Sequence, residues 1–212
     1  MGAFLAMMKR AAMAVMLAGT VMGVAGCDTL SSMAPGIGAT TKRISLDQAQ
    51  VPRLRASLLK RGTSAMMHVT GRNGDVVTWE TPERVSVSLA GGVLVATRGL
   101  GHDLMSAEVR EARAALAGSM PAGSDYPRFY GYMDGEHRTW FRSFLCHVLV
   151  AERDVVETTS DGRRVTRVTE RCTDPDLEFN NVYWRAPDGD LVRSRQWIGP
   201  ELGHIRLEHV PG

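Results

Sequence analysis

The sequence predicts a mainly β protein, an antiparallel meander forming a sandwich or a barrel-like domain with one or two short helices. One indication is a recurring pair of turn-forming residues, which supplies the positive φ angles that tight hairpins need. The other is the alternation of apolar and polar residues between these pairs, as in residues 85–89 and 165–171, which indicates strands with one buried face. The turn pairs are Asn73-Gly74, Gly91-Gly92, Asp134-Gly135, Asp161-Gly162 and Asp188-Gly189.

Two segments are predicted to be helical. Residues 107–118 (AEVREARAALAG) are rich in helix-forming residues and interrupt the strand pattern. Nearer the amino terminus, Ser45 opens a pattern that resembles a capping box, and an apolar stripe that includes Leu54 and Leu58 follows it. Pro52 interrupts this stripe, so we expect two short helical pieces or a kink.

The amino terminus is predicted to be an export signal of the lipoprotein type. Lys9 and Arg10 precede an apolar run, residues 11–24, which is too short for a comfortable membrane span. Val-Ala-Gly-Cys27 follows and resembles the bacterial lipobox, in which a new terminal cysteine is lipidated. An ordinary secretory signal with a chance cysteine is the alternative. The predicted organisation is a signal peptide (1–26), a lipidated terminus and flexible tether (27–42), and a single β-rich periplasm-facing domain (43–212).

Removal of the predicted signal changes the charge of the chain. The whole sequence has 25 Lys and Arg residues against 23 Asp and Glu residues. The signal contains Lys9, Arg10 and no acidic residue, so the mature chain has 23 of each and is formally neutral. A neutral domain does not favour binding to nucleic acid.

Two cysteines, Cys146 and Cys172, remain once Cys27 is assigned to the lipid, and an oxidising periplasm favours a disulfide between them. A straight two-residue hairpin at Asp161-Gly162 places Cys172 opposite Ala151. Cys146 then lies five residues further along, roughly 17 Å away at strand rise, whereas a disulfide needs Cα atoms within about 7 Å. The disulfide therefore requires a bend, a bulge or an extra turn near residues 153–154, and free buried thiols are the alternative.

No catalytic, metal or cofactor site is predicted. The Gly99-Leu-Gly101 segment lacks the third glycine of a dinucleotide-binding loop. Asp103 is expected to cap a helical turn that begins at Leu104. Arg98, among apolar strand residues, is expected to pair with an acid, and binding of an anionic polymer or partner is the alternative. The six histidines are scattered along the chain, so a shared metal site is not expected.

The four tryptophans allow two interpretations. They are expected to fill the core, because burial is the usual fate of large aromatic side chains. A surface on which sugars stack is the alternative. The residues are Trp79, Trp140, Trp184 and Trp197.

Several segments together resemble a known family. They are Thr78-Trp79, residues 92–104 (GVLVATRGLGHDL), Glu170-Arg-Cys172, Asn181-Val-Tyr-Trp184 and residues 193–200 (RSRQWIGP). With the lipobox, they resemble the YjbF/GfcB family of lipoproteins linked to exopolysaccharide and group 4 capsule production. The resemblance implies a lipid-anchored β domain facing the periplasm, on the outer membrane rather than the inner membrane. It also implies a cysteine pair at Cys146 and Cys172.

The resemblance further implies an accessory role beside an outer-membrane barrel protein and a periplasmic protein of polysaccharide secretion. We therefore expect a non-enzymatic protein that binds an envelope protein partner or the polymer. Its candidate surface comprises Arg98, Gly99, Gly101 and Asp103. The alternatives are a purely structural envelope protein and a periplasmic glycan-modifying enzyme, which needs two carboxylates about 5–10 Å apart. The acids to examine for that enzyme are Asp103, Glu108, Asp134 and Glu136.

Overall fold

The structure is a computed structural model that describes residues 52–121, 123–133, 138–149, 155–158, 162 and 164–210. The predicted signal peptide, Cys27, the tether and the capping box at Ser45 lie outside the described residues. So do Asp134, Gly135 and Asp161 of the predicted turns. No helix in these described ranges is long and apolar enough to cross a membrane.

Thirteen strands and one helix make up the described part of the chain, and every strand pair is antiparallel. The elements in chain order are β1 (Arg53–Leu58), β2 (Thr63–Asn73), β3 (Val76–Glu80), β4 (Ser86–Ala90), β5 (Val93–Arg98), β6 (Leu104–Ala107), α1 (Arg110–Leu116), β7 (Tyr126–Met133), β8 (Thr139–Val148), β9 (Val155–Thr158), β10 (Arg164–Thr173), β11 (Glu178–Arg185), β12 (Leu191–Gly199) and β13 (Gly203–Val210).

The strands form one sheet whose order follows the sequence around a ring. The order is β5-β4-β3-β2-β1-β13-β12-β11-β10-β8-β7-β6, and β9 also pairs with β10. The two outermost strands of this order, β5 and β6, are consecutive in the chain and lie side by side. The sheet is therefore nearly closed, and the predicted antiparallel meander is confirmed in its barrel-like form. We call the junction between β5 and β6 the seam.

Local turn chemistry was predictive. Asn73-Gly74 joins β2 to β3, Gly91-Gly92 joins β4 to β5, and Asp188-Gly189 lies between β11 and β12. Gly91 and Gly92 have φ values of 55° and 82°, a left-handed conformation that glycine adopts at little cost. The predicted helix is confirmed as the shorter α1, because Ala107, at the start of the predicted segment, belongs to β6.

The helical prediction for the stripe containing Leu54 and Leu58 is wrong, because Arg53–Leu58 is strand β1. Residues four apart share a face in a helix and also in a strand, so this spacing fits both structures. Pairing decides between them: Leu54 lies opposite Met67 of β2 on one side and His209 of β13 on the other. Leu54 is 1% exposed, so its burial supports a strand that joins the first and last parts of the chain.

Cys146 and Cys172 form a disulfide and lie directly opposite each other on β8 and β10. The extra chain length that this pairing requires is present. Six residues separate Val148 from Val155, whereas only two separate Arg167 and Glu170, the residues opposite them on β10. The four additional residues fall within the segment 149–154, where the sequence predicts an irregularity.

The two ends of the barrel differ. α1 follows β6 and lies at the end that holds the β2–β3 and β4–β5 turns, where the guanidinium of Arg113 pairs with Asp75 and lies beside Gly91. Because antiparallel strands alternate in direction, the β5–β6 turn and the β12–β13 turn lie at the opposite end. We call residues 99–103 the seam turn and this end the seam end.

The core fills the space inside the sheet. Its apolar part includes Val93, Leu104, Ile198 and Ile205, each at most 2% exposed. The core also holds polar side chains, which include the salt-bridged pair Arg128 and Glu170 and the amides of Asn181 and Gln196. Buried polar groups persist only when they are hydrogen-bonded, so their partners determine how the barrel is held.

Candidate binding site at the seam end

The seam turn is organised around the carboxylate of Asp103. Its Oδ1 atom accepts hydrogen bonds from the hydroxyl of Thr97 at 2.8 Å and from the main-chain N–H of Leu100 at 3.2 Å. Its Oδ2 atom accepts a bond from the N–H of Gly99 at 2.9 Å. The prediction that Asp103 caps a helical turn is wrong, because Leu104–Ala107 is strand β6 and the carboxylate binds groups that precede it in the chain.

Side chains of β5 connect the two strands across the seam. Oγ1 of Thr97 accepts a bond from the N–H of Leu104 at 3.0 Å. The guanidinium of Arg98 donates to the carbonyl oxygens of Leu104 at 3.2 Å and Met105 at 3.3 Å, and to that of Thr97. In place of the expected acidic partner, Arg98 therefore binds main-chain carbonyl groups, and it helps to close the barrel.

The two glycines of the seam turn have left-handed backbones, with φ of 85° at Gly99 and 89° at Gly101. A Cβ atom on Gly99 would also lie 3.3 Å from the Cα atom of Val85, so this position combines positive φ with close packing. The structure brings the four predicted surface residues, Arg98, Gly99, Gly101 and Asp103, into one segment. The contacts of Arg98 and Asp103 hold the turn and the seam together.

Gln196 of β12 secures the other half of β5. Its Oε1 atom accepts a bond from the N–H of Leu94 at 2.8 Å, and its Nε2 atom donates to the carbonyl oxygen of Gly92 at 2.9 Å. Gln196 is 1% exposed. Its side-chain amide thus satisfies one main-chain group of β5 and one of the turn before it, in the way that a neighbouring strand would.

A cavity of about 360 Å³ adjoins the seam turn, and we call it the seam pocket. Three parts of the chain line it: the seam turn, the facing ends of β7 and β8, and the β12–β13 turn. The lining residues are Gly101, His102, Asp103, Tyr132, Met133, Trp140, Gly199, Pro200 and Glu201.

One wall of the seam pocket is aromatic. The rings of Tyr132 and Trp140 stack with centroids 4.5 Å apart and an angle of 25° between their planes. Trp140 is 39% exposed. Gly199 leaves room for the Tyr132 ring, since a Cβ atom there would lie 3.0 Å from its Cε1 atom. An exposed aromatic face beside the exposed carboxylate of Glu201 suits a ligand that has both an apolar face and hydroxyl groups.

The tryptophans divide between the two predicted roles. Trp79 and Trp197 are 4% and 9% exposed and belong to the core. Trp184 is partly buried, with the guanidinium carbon of Arg193 lying 4.9 Å from its ring centroid. Trp140 alone of the four lines the seam pocket. The four do not form a shared sugar-stacking surface, but one of them occupies a position suited to stacking.

A buried polar network lies at the centre of the barrel wall, around the carboxylate of Glu170. Oε1 accepts a bond from the hydroxyl of Tyr126 at 2.7 Å. Oε2 accepts bonds from Nη1 of Arg128 at 2.8 Å, Nδ2 of Asn181 at 2.7 Å and the hydroxyl of Tyr183 at 3.1 Å. The side chains of Glu170 and Arg128 are 0% and 2% exposed, so this charge pair has no access to a substrate.

The network keeps its phenols protonated. Burial, and after it the Glu170 carboxylate, raises the pKa of both Tyr126 and Tyr183 well above the ordinary value. Burial also raises the pKa of Tyr130 to about 12, although Arg128 acts in the opposite direction. The hydroxyl of Tyr183 lies 3.5 Å from Oε1 of Gln196, so the network extends to the side chain that secures β5.

The acids named for the enzyme alternative do not come together in the described part of the chain. The carboxylate of Asp103 is occupied by the seam turn, and that of Glu108 accepts a bond from the N–H of Arg110. Asp134 and Glu136 lie outside the described residues.

One group in the described ranges brings together three residues whose side chains can bind metals. It consists of Cys146, Glu170 and Cys172, whose potential ligand atoms lie within 4.8 Å of one another. Both sulfurs are bonded in the disulfide, and Glu170 accepts the four hydrogen bonds of the network. These residues therefore serve the barrel wall.

Comparisons with known proteins identify a family from the sequence and a similar fold among solved structures. The family model of the group 4 capsule polysaccharide lipoprotein GfcB, YjbF, matches residues 29–210. The crystal structure of the hypothetical lipoprotein YmcC from Escherichia coli K12 is similar, with a TM-score of 0.60 and 19% sequence identity, and covers 76% of this chain and 84% of that chain. At this identity the likeness concerns the fold. No curated protein sequence matches significantly.

Proposed function

The chain belongs to the YjbF family of group 4 capsule polysaccharide lipoproteins, and from that premise we propose that it is a non-enzymatic accessory protein that binds the polysaccharide in its seam pocket. Family membership makes it a lipid-anchored protein of the cell envelope. The lipid is proposed to be on Cys27, and the membrane to be the outer membrane. Envelope proteins of polysaccharide secretion, an outer-membrane barrel among them, are the proposed neighbours.

The observation that carries this proposal is the Tyr132–Trp140 stack in the wall of the seam pocket. A pyranose ring has a face of C–H groups that packs on an aromatic ring, and hydroxyl groups at its edge that need hydrogen-bond partners. Glu201 and His102 line the same pocket and are exposed, so they can supply these partners. A pocket of about 360 Å³ lies in the usual range for small-ligand sites.

Lipid attachment gives such a pocket an effect beyond its own affinity. A protein confined to a membrane surface meets the polymer and the secretion proteins there at a high effective concentration. Weak binding to each sugar unit then suffices to hold a long chain with many identical units. The accessory role therefore needs no chemical step.

The proposal is tested first by binding. Purified capsule or exopolysaccharide is titrated into the protein while binding is followed by calorimetry. Trp140→Ala should weaken binding about tenfold, or roughly 1.4 kcal/mol, the usual upper range for an aromatic contact. Trp184→Ala removes another partly exposed tryptophan, away from the pocket, and should bind like wild type. Equal affinity of all three proteins contradicts the proposed site.

A second test is made in cells. Polymer secretion is measured in a deletion strain carrying wild type, Cys27→Ala, Trp140→Ala or Arg98→Ala. Loss of secretion with Cys27→Ala supports the anchored role, and loss with Trp140→Ala supports polymer binding. Arg98→Ala tests the seam itself, because the guanidinium of Arg98 links β5 to β6. Normal secretion of a polymer with altered length or substitution would instead favour the glycan-modifying enzyme.

A further inference from the structure

The outer face of the β7–β8 hairpin carries exposed apolar side chains. Phe129 and Met133 of β7 are 47% and 40% exposed, and Phe141 and Leu145 of β8 are 70% and 52% exposed. We call these four residues the apolar strip. In β7 the usual arrangement is inverted, because the charged Arg128 is buried and the neighbouring Phe129 faces solvent.

The strand register makes the strip continuous. Phe141 lies opposite Gly131, and Leu145 lies opposite Pro127. The phenyl ring of Phe141 covers Gly131, where an added Cβ atom would lie 3.0 Å from its Cε1 atom. Four other outward positions of the hairpin are uncharged: they are Pro127, Gly131, Thr139 and Ser143. Beyond Leu145 the strip ends at His147, which pairs with Asp125 at 3.2 Å. The solvent-facing side of an antiparallel sheet is normally polar, so this face is built for a non-aqueous contact.

We propose that the apolar strip rests on the lipid bilayer beside the anchor, with its phenylalanine, leucine and methionine side chains in the boundary between headgroups and acyl chains. Apolar side chains gain free energy on leaving water at this boundary. This inference uses the lipid anchor alone and does not depend on polymer binding in the seam pocket.

The size of the strip favours lipid over a second copy of the chain. It extends from Leu145 to Met133 over roughly 20 Å of strand and, being two strands wide, over about 10 Å of width at ordinary strand rise and spacing. The resulting area, roughly 200 Å², is well below the roughly 800 Å² per partner of a stable protein interface. A contact this small holds only if something else already confines the domain.

The anchor supplies that confinement. Twenty-five residues lie between Cys27 and Arg53, and a chain of this length reaches at most about 90 Å. A domain of this size is only about 40 Å across, so the hairpin can reach the membrane that holds the lipid. Confinement raises the effective concentration of lipid around the strip, and a weak contact then becomes populated.

The charged residues beside the strip are compatible with this contact. At its β6 side, Phe129 and Phe141 share a shallow groove with Glu108, Arg110 and Glu111. The guanidinium of Arg110 pairs with the carboxylate of Glu111 at 2.6 Å. This exposed pair lies beside the strip, where it can remain among the hydrated headgroups.

The experiment uses the full lipidated chain in vesicles of phosphatidylethanolamine and phosphatidylglycerol. A nitroxide is placed on Ser143→Cys, an exposed position between Phe141 and Leu145. The control label is on Ser64→Cys, an exposed position of β2 two residues from Met66, itself 37% exposed. Collisions with oxygen, which dissolves in lipid, are compared with collisions with a water-soluble nickel complex.

The label at residue 143 should collide preferentially with oxygen, and the label at residue 64 with nickel. The triple variant Phe129→Ser, Phe141→Ser, Leu145→Ser should reduce the oxygen preference at residue 143 to the level of the control label. The variant Leu59→Ser, Met66→Ser removes exposed apolar side chains elsewhere and should leave it unchanged. Equal melting temperatures verify that the variants are folded.

Two results overturn the proposal. One is a label at residue 143 that remains as accessible to nickel as the control label. The other is spin–spin broadening at residue 143 that grows with protein density in the vesicles, since this identifies a second copy as the occupant. Polymer binding by the triple variant is measured in parallel, and its loss would concern the seam pocket rather than the strip.

Discussion

Replacing Glu170 with glutamine is the most direct test of how the barrel is held together. The substitution keeps the shape of the side chain and removes its charge. The guanidinium of Arg128 then remains buried without a counter-charge. Two phenol hydroxyls and the amide of Asn181 also lose a strong acceptor, since all four groups donate to this carboxylate.

The expected loss follows from burial. Breaking a buried ion pair by removing one partner costs about 3–5 kcal/mol, because the remaining charge is left uncompensated. Both side chains are at most 2% exposed, so water offers little relief. Domains of this size have a free energy of unfolding of about 5–15 kcal/mol. The variant should therefore lose a large part of its stability.

The assay is urea unfolding followed by tryptophan fluorescence, with the disulfide kept oxidised. A loss of about 4 kcal/mol should lower the midpoint by about 2 M at a typical slope of 2 kcal/mol per M. Arg128→Met should cost a similar amount. The double variant Arg128→Met, Glu170→Gln should cost less than the sum of the two single variants, with a coupling of about 2–3 kcal/mol.

The reasoning is refuted if Glu170→Gln loses less than about 1 kcal/mol while the two single variants add without coupling. Such a result would mean that water reaches the pair in solution. An unchanged slope is needed for this comparison, because a changed slope would signal an altered denatured state.

Three further outcomes are expected. Gln196→Leu should cost about 1–3 kcal/mol in the same urea assay, because it leaves the buried N–H of Leu94 unpaired; a neutral result would contradict the role given to this amide. Replacing Cys146 and Cys172 by alanine should lower the free energy of unfolding by about 3.5 kcal/mol, from the chain entropy of the 26-residue separation; no difference from the oxidised wild type would show that the constraint is ineffective. Burial, and after it Arg195, lowers the pKa of His204 in the folded chain; its stabilising contribution is therefore present above the unfolded value of about 6.5 and declines as pH falls through the lower folded value. Melting temperatures measured across this acid range should fall less for His204→Gln than for wild type. If the melting temperatures of both proteins fall equally with pH, His204 does not contribute to the pH dependence.

The turns were predictable because their chemistry is local. Asn-Gly, Gly-Gly and Asp-Gly pairs adopt positive φ angles whatever surrounds them, so Asn73-Gly74 and Gly91-Gly92 marked hairpins correctly. Asp103 shows the limit of such local rules. A carboxylate beside free N–H groups caps a helix or staples a turn with the same chemistry, and only the strand after it distinguishes the two.

Long-range contacts were not predictable from the same patterns. The spacing of Leu54 and Leu58 fits a helix as well as a strand, and pairing with residues some 150 positions away resolves it. The buried network around Glu170 was also not predicted, although the sequence contains a signal for it. Glu170 alternates with Val168 and Cys172, which places it on the same inward face. A charged residue at an inward position predicts a buried partner, but the identity of Arg128 depends on the fold.

The aromatic residues of the β7–β8 hairpin were harder still. The strand sequence YPRFYGYM (126–133) has large apolar side chains on both faces. The alternation of apolar and polar residues therefore does not show which face is buried. Charged side chains are usually exposed, so Arg128 would be expected to face solvent, yet it is buried. Only the network around Glu170 explains why Arg128 points inward and why Phe129 must then face outward.

The hydrogen-bonded pairing of β1 with β13 has a consequence for how the chain folds. Arg53 and Val210 are opposite each other, so the ring is completed by residues that are far apart in sequence, and contacts of this kind form slowly. β1 is the first strand to emerge during export, and it cannot pair with β13 until the end of the chain has emerged. A circular permutant that joins residues 210 and 53 by a short linker and opens the chain at Gly101 of the seam turn makes this pairing local, and it separates only β5 and β6, the two ends of the strand order. Such a permutant should refold faster than the natural chain order.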